Sequence, residues 1–224
     1  MNTKVNSMKI APFLALAVTA VAAHAGAAEL TVEARVENLS RGWAHVNYEV
    51  TGKPEQARQA ALLAAEADSL VTEFPNRAEP LVWDAIITAT EAGAKGGLAG
   101  LSLAKNARQM LEKAEKVNPT VLGGSVYTSL GSLYSQVPGF PVGFGDPAKA
   151  RAYLQKALAV NPTGIDQNYF YADFLYRQGD MAGAAAAAQR ALAAPARAGR
   201  EVADRGRRAE ATALLAKTAA ARKT

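Results

Sequence analysis

The sequence predicts an all-α fold: about four stacked helical pairs followed by a capping helix at the C-terminal end. Three observations carry this. Ala107, Leu111, Ala114 and Pro119 lie 4, 3 and 5 residues apart, and Ala150, Leu154, Ala157 and Pro162 repeat both the offsets and the residue types. Ala184, Ala188 and Ala191 begin the pattern again, with Pro195 ending it one residue early, and Leu63, Ala67, Leu70 and Pro75 keep the spacing with larger side chains. The step from Ala150 to Ala184, and from Ala157 to Ala191, is 34 residues. Finally, 50% of the residues are hydrophobic, Ala dominates and β-branched runs are scarce, which favours helix. Small residues at fixed offsets let a second helix approach closely, and a Pro just beyond the last of them cannot continue the hydrogen-bond ladder.

In chain order, an address comes first. Lys4 and Lys9 precede an apolar run over 10–23, and Ala23-His24-Ala25 offers a small-residue cleavage site before Gly26. A signal peptide over 1–25 is therefore expected, with export to the periplasm in a Gram-negative cell. The run falls short of the ~20 residues a membrane span needs. The chain has no Cys, so a lipid-modified N-terminal thiol, disulfides and thiolate metal sites are all excluded. The rest, 26–224, reads as one helical domain. Helices are expected near 33–51, 54–73, 79–92, 97–117, 120–135, 147–160, 166–178, 181–193 and 200–221. They group into pairs over 33–75, 79–119, 120–162 and 165–195, with an end helix over 199–222. Pro54 and Pro147 suit first-turn positions, where the missing N–H is not needed. Asp146 and Asp166 read as N-caps, and Gly179-Asp180 as a tight turn.

The 34-residue step together with these strings resembles the tetratricopeptide repeat family. Lys113-Ala114 to Asn118-Pro119 and Lys156-Ala157 to Asn161-Pro162 look like the ends of the second helix of a repeat. Leu130-Gly131-Ser132-Leu133-Tyr134 looks like the Leu-Gly-x-x-Tyr signature of a first helix. Trp43 and Trp83 fill the early aromatic slot of the first two repeats, and Tyr171, Ala172, Leu175 and Gly179 complete the fourth. The resemblance implies a binding scaffold whose first helices line a concave face. It places Ser125, Thr128, Ser132 and Ser135 on that face, with Gln136 at its end. From the fourth repeat it adds Asp166, Tyr169, Asp173, Tyr176 and Arg177. Asp84, Thr88 and Glu91 come from the second repeat, and Arg41 and Tyr48 from the first. The Lys/Arg carboxylate clamp of some peptide-tail binders of the superfamily is missing. A signal peptide followed by degenerate helical pairs with long loops also resembles the T-component of tripartite (TRAP) transporters, which implies a groove or pore through the pairs. Those proteins are mostly lipid-anchored, a form that the missing Cys rules out here.

The third repeat is longer than the template. Tyr134 and Ala150 are 16 residues apart, and the excess falls in a loop over 136–145 that carries Phe140 and Phe144. Exposed Phe in a loop is costly unless something covers it. The pair therefore reads either as a plug of the solenoid or as a lip of the binding site, with Tyr127 and Trp83 beside Phe140 if the pairs enclose a cavity. Gly93-Ala94-Lys95-Gly96-Gly97 lacks the order of a phosphate-binding loop.

Charge and motifs narrow the function. With 25 Lys and Arg against 20 Asp and Glu, the net charge is +5, too mild to point to nucleic acid. After cleavage the only His is His45, one helical turn from Glu49, a surface contact more readily than a general base. No nucleophile or paired-carboxylate motif stands out, and one His with no Cys removes the usual zinc sites. The expectation is a non-catalytic exported scaffold with no cofactor and no metal, binding a protein or peptide partner through the concave face. The alternative is a carrier of a small ligand or lipid in an enclosed apolar cavity. The basic, acid-interleaved tail from Arg197 onward reads as a cap over the last repeat.

Overall fold

A computed structural model describes residues 31–221. The expected signal peptide over 1–25 lies outside the described residues. Helices α1 (Val32–Tyr48), α2 (Lys53–Glu73), α3 (Ala78–Lys95), α4 (Gly97–Val117), α5 (Val121–Gln136), α6 (Pro147–Val160), α7 (Ile165–Arg177), α8 (Met181–Ala193) and α9 (Glu201–Ala221) follow one another, with no strand among the described residues. None of these helices is long and apolar enough to cross a membrane.

Local chemistry accounts for the boundaries. The Thr31 hydroxyl accepts from the Ala34 N–H at 3.3 Å to start α1. Asp146 accepts from the N–H groups of Ala148 and Lys149 at 2.9 and 3.1 Å, with Pro147 in the first turn of α6. Asp180 caps α8 through the Gly183 N–H at 2.8 Å. Asp166 is not a cap: α7 begins one residue earlier, at Ile165, and Asp166 sits in its first turn. α5 opens on a left-handed turn, with φ of 52°, 64° and 81° at Leu122, Gly123 and Gly124. Two glycines there accept a backbone that side chains resist.

Consecutive helices pack against each other, and the odd-numbered helices α1, α3, α5 and α7 also touch in succession, forming an inner layer. The repeated small residues are the contact points. Ala60, Ala67, Ala107, Ala114, Ala150, Ala157, Ala184, Ala188 and Ala191 are fully buried, as is Leu154. Gly131 of α5 meets Leu154 of α6 so closely that an added Cβ would stand 2.6 Å from Leu154 Cγ. One feature exceeds a stacked array. α9 packs on α7 and α8, as a cap should, and also reaches α1. The Tyr48 hydroxyl donates to Glu210 at 3.2 Å, Arg205 pairs with Glu49 at 3.3 Å, and Gly206 lies flat against the Tyr48 ring. The inner layer is thereby closed into a ring of α1, α3, α5, α7 and α9.

α3 carries a buried carboxylate. Asp84 is 2% exposed and accepts only a long 3.3 Å hydrogen bond from Thr88. Burial, reinforced by the nearby Asp68, pushes its carboxyl up to about 6. The folded value lies above the unfolded one, so ionising Asp84 costs stability as pH rises through about 6. Asp84→Asn removes that cost while still burying an amide. We expect a gain of about 1–2 kcal/mol at pH 8. Thermal melts between pH 8 and pH 4 test this, with the gain fading as Asp84 takes up its proton.

Candidate binding groove

The ring encloses a groove of about 670 Å³. The five helices of the inner layer supply most of its walls. α1 and α3 contribute Trp43, Trp83, Ile86 and Thr90, and α5 contributes a row of hydroxyls, Ser125, Thr128, Ser129 and Ser132, ending at Gln136. α7 contributes Asp166, Tyr169, Phe170, Asp173 and Arg177, the segment leading into α9 contributes Arg197 and Arg200, and α9 itself contributes Arg207 and Glu210.

The aromatic wall is organised around the two Trp of the chain. Trp43 and Trp83 have ring centroids 5.8 Å apart, and Trp43 donates its indole N–H to the Thr90 hydroxyl at 2.9 Å. Thr90 in turn donates to the Ile86 carbonyl at 3.0 Å, so the indole is oriented through a satisfied chain. Facing it, Tyr169 and Phe170 meet edge-to-face at 5.3 Å.

The charged wall is a network. Asp166 accepts from Arg207 Nε at 2.8 Å on one oxygen and from Arg197 Nη1 at 2.7 Å on the other. Arg197 also grips Asp204 through its backbone N–H, Nε and Nη2 at 2.9, 2.8 and 2.6 Å. Arg207 continues to Glu210 at 2.6 Å while lying 4.6 and 4.4 Å from the ring centres of Tyr169 and Phe170. Burial alone would raise the Asp166 carboxyl, but Arg207 and Arg197 outweigh it and hold the group down to about 2. Burial pushes the Tyr169 phenol up to about 12, and the Tyr48 phenol above its ordinary value, so both remain neutral donors.

Of the residues expected at the site, Ser125, Thr128, Ser132, Gln136, Asp166, Tyr169, Asp173 and Arg177 line this groove. Arg177 is already engaged, bonding Asp173 at 2.8 Å. Four others, on α5, on α7 and in the loop, lie elsewhere. Tyr127 is on the outer side, its ring 6.2 Å from Tyr153. Tyr176 packs into the core between repeats. Phe144 folds back edge-on to Tyr134, with the Arg108 guanidinium 4.5 Å from its ring centre. Phe140 is 94% exposed at the loop tip, away from the groove. Asp84, Thr88 and Glu91 are buried and do not line the groove. On α3 the lining stripe is Trp83, Ile86 and Thr90, one to two residues earlier.

Sequence reasoning missed the contribution of the last segment. The tail from Arg197 onward reads in the sequence as a cap over the last repeat, which α9 is, but Arg197, Arg200, Arg207 and Glu210 also form one wall of the groove. Among the described residues, no group of three or more His, Asp or Glu side chains could hold a metal ion.

The fold is that of a tetratricopeptide-like helical solenoid. The structure is similar to that of a thermophilic TPR protein from Thermus thermophilus, with a TM-score of 0.52 and 22% sequence identity over 70% of this chain and 78% of that one. No protein-family model matches the sequence, and no curated protein matches it.

Proposed function

We propose that this chain is a non-catalytic scaffold, exported to the cell envelope, that takes up a segment of a polypeptide partner in the ring's groove. The observation that supports this reading is the lining itself. A row of hydroxyls on α5 faces aromatic surface from Trp43, Trp83, Tyr169 and Phe170, a combination that suits adaptable hydrogen bonding beside flat apolar contact. The Ser125 to Gln136 row is continuous with solvent at exposed Gln136, so a chain can enter from that end. The charged side chains there are largely committed to one another. Asp166, held down to about 2, and Tyr169, pushed up to about 12, each keep one charge state across neutral pH and are not tuned to transfer a proton there. The closure by α9 favours a second reading, a carrier for a small amphipathic molecule.

Photocrosslinking in the native host separates the two. A benzophenone side chain replaces Ser132 inside the groove or exposed Ala186 on the outer face of α8. Polypeptide adducts from position 132 and none from position 186 are the expected result, with the adduct in the envelope fraction. Adducts from both positions, or from neither, would overturn the groove as a polypeptide site. Native mass spectrometry of the same preparation showing a bound small molecule would establish the carrier instead.

A further inference from the structure

The cations that line the groove are not equivalent. Arg197 and Arg207 share Asp166 and each hold a second carboxylate, Arg177 holds Asp173, and Lys53 donates to Gln56 at 3.1 Å. Arg200 stands apart. Among the described residues its guanidinium has no ion pair and no hydrogen bond, and its Nε is shut off from solvent without a partner. What positions it is the face of Trp83, whose ring centre lies 5.1 Å from the guanidinium carbon. The acids beside it, Asp166 and Asp204, are held by Arg197 and Arg207 and make no hydrogen bond or ion pair with Arg200.

We propose that Arg200 is the anion anchor of the groove, and that the ligand it takes is a carboxylate joined to an apolar or aromatic body. This rests on the groove being the binding site. A planar guanidinium with vacant donors is matched by a planar carboxylate, which accepts two parallel N–H bonds from it. The body of the same molecule would lie along Trp83, Trp43 and Ile86, which share the wall beside the anchor. Arg200 is also the cation that gains most from an anion. Burial, together with the repulsion of Arg197, lowers its pKa below the ordinary Arg value, so its charge is poorly compensated in the protein alone. A carboxylate of this kind has two sources, a free amphipathic acid or the C-terminal end of a peptide.

Because both Trp of the chain line the groove, intrinsic fluorescence reports its occupancy. The probes are octanoate against octanol, and an acetylated hexapeptide ending in Leu-Phe-Leu as the free acid against its C-terminal amide. Each is titrated at neutral pH into the wild type, Arg200→Gln and Arg200→Lys. One charge-assisted pair predicts that the acid binds about ten-fold tighter than its neutral counterpart. Arg200→Gln should bring that ratio near one while neutral-probe binding persists, and Arg200→Lys should keep part of it. A preference confined to octanoate identifies a free acid as the source, and one confined to the peptide acid identifies a chain end. Equal binding of acid and neutral probes by the wild type overturns the anchor and leaves the groove reading standing. A full preference retained in both variants also overturns it. Saturable binding of the amide alone supports the scaffold without the carboxylate. No response to any probe rejects both proposals. The wild-type ratio is informative even if a variant fails to fold.

Discussion

Arg207→Met should lower the thermal midpoint by about 10 °C, through a loss of roughly 3 kcal/mol. Its side chain is only 7% exposed, and it bridges Asp166 and Glu210 while covering two aromatic rings. Methionine replaces most of the packing and none of the charge, leaving Asp166 with Arg197 alone in a site that is 22% exposed. Removing one partner of a buried pair leaves the other partly uncompensated, the costly direction of such changes. The effect depends on pH in a defined sense. In the wild type the Asp166 value is depressed, so its stabilising contribution is complete above the unfolded value near 4 and is lost as pH falls towards 2. The difference between wild type and variant should therefore be full at pH 7 and shrink below pH 4. Adding Asp166→Asn to the variant should recover part of the loss at pH 7. Calorimetry across that range checks each point, and a pH-independent difference would mean that Arg207 acts through packing alone.

Gly131→Ala should cost about 2–3 kcal/mol, although alanine is the better helix former. The new methyl would meet Leu154 Cγ at 2.6 Å and the Leu154 backbone N at 3.1 Å. The side chain can turn aside, but the backbone can retreat only if α5 and α6 separate. Leu154→Ala alone should cost about 2–5 kcal/mol by leaving a void where a fully buried side chain stood. Combined, the two changes should cost clearly less than their sum, since each relieves the defect of the other. A double-mutant cycle by urea denaturation measures that coupling, and additive losses would show that the two residues do not share one contact.

Much of the architecture was legible in the sequence, because the period and the Ala-x-x-x-Leu-x-x-Ala spacing are themselves the packing surface. Ala107, Leu111 and Ala114 are buried for the reason they recur. The lining of the groove was legible where the motif supplied a register, as on α5 and, Tyr176 apart, on α7. It failed on α3, where no Leu-Gly-x-x-Tyr string sets the register. Each residue turns a helix by about 100°, so a slip of one to two residues moves the expected stripe from Trp83, Ile86 and Thr90 to the buried Asp84, Thr88 and Glu91. Phe140 and Phe144 look alike in the sequence, and only the fold of the loop separates a tip 94% exposed from a ring packed on Tyr134. The role of Arg197 to Glu210 was out of reach because it rests on pairings such as Glu210 with Tyr48, 162 residues apart. No local pattern encodes these.

That last pairing changes the mechanics of the molecule. An open stack of helical pairs behaves as a spring: each unit feels only its neighbours, and either end can fray without consulting the other. Joined end to end, the same units make a hoop. Loosening any one of them strains the clasp between Tyr48 and Glu210, so the resistance to widening is shared around the whole circumference. Assembly bears the converse burden. The clasp links the most distant segments of the described chain, a closure that is entropically late and kinetically slow. The groove can acquire its final width only when the twenty-one residues of α9 have docked.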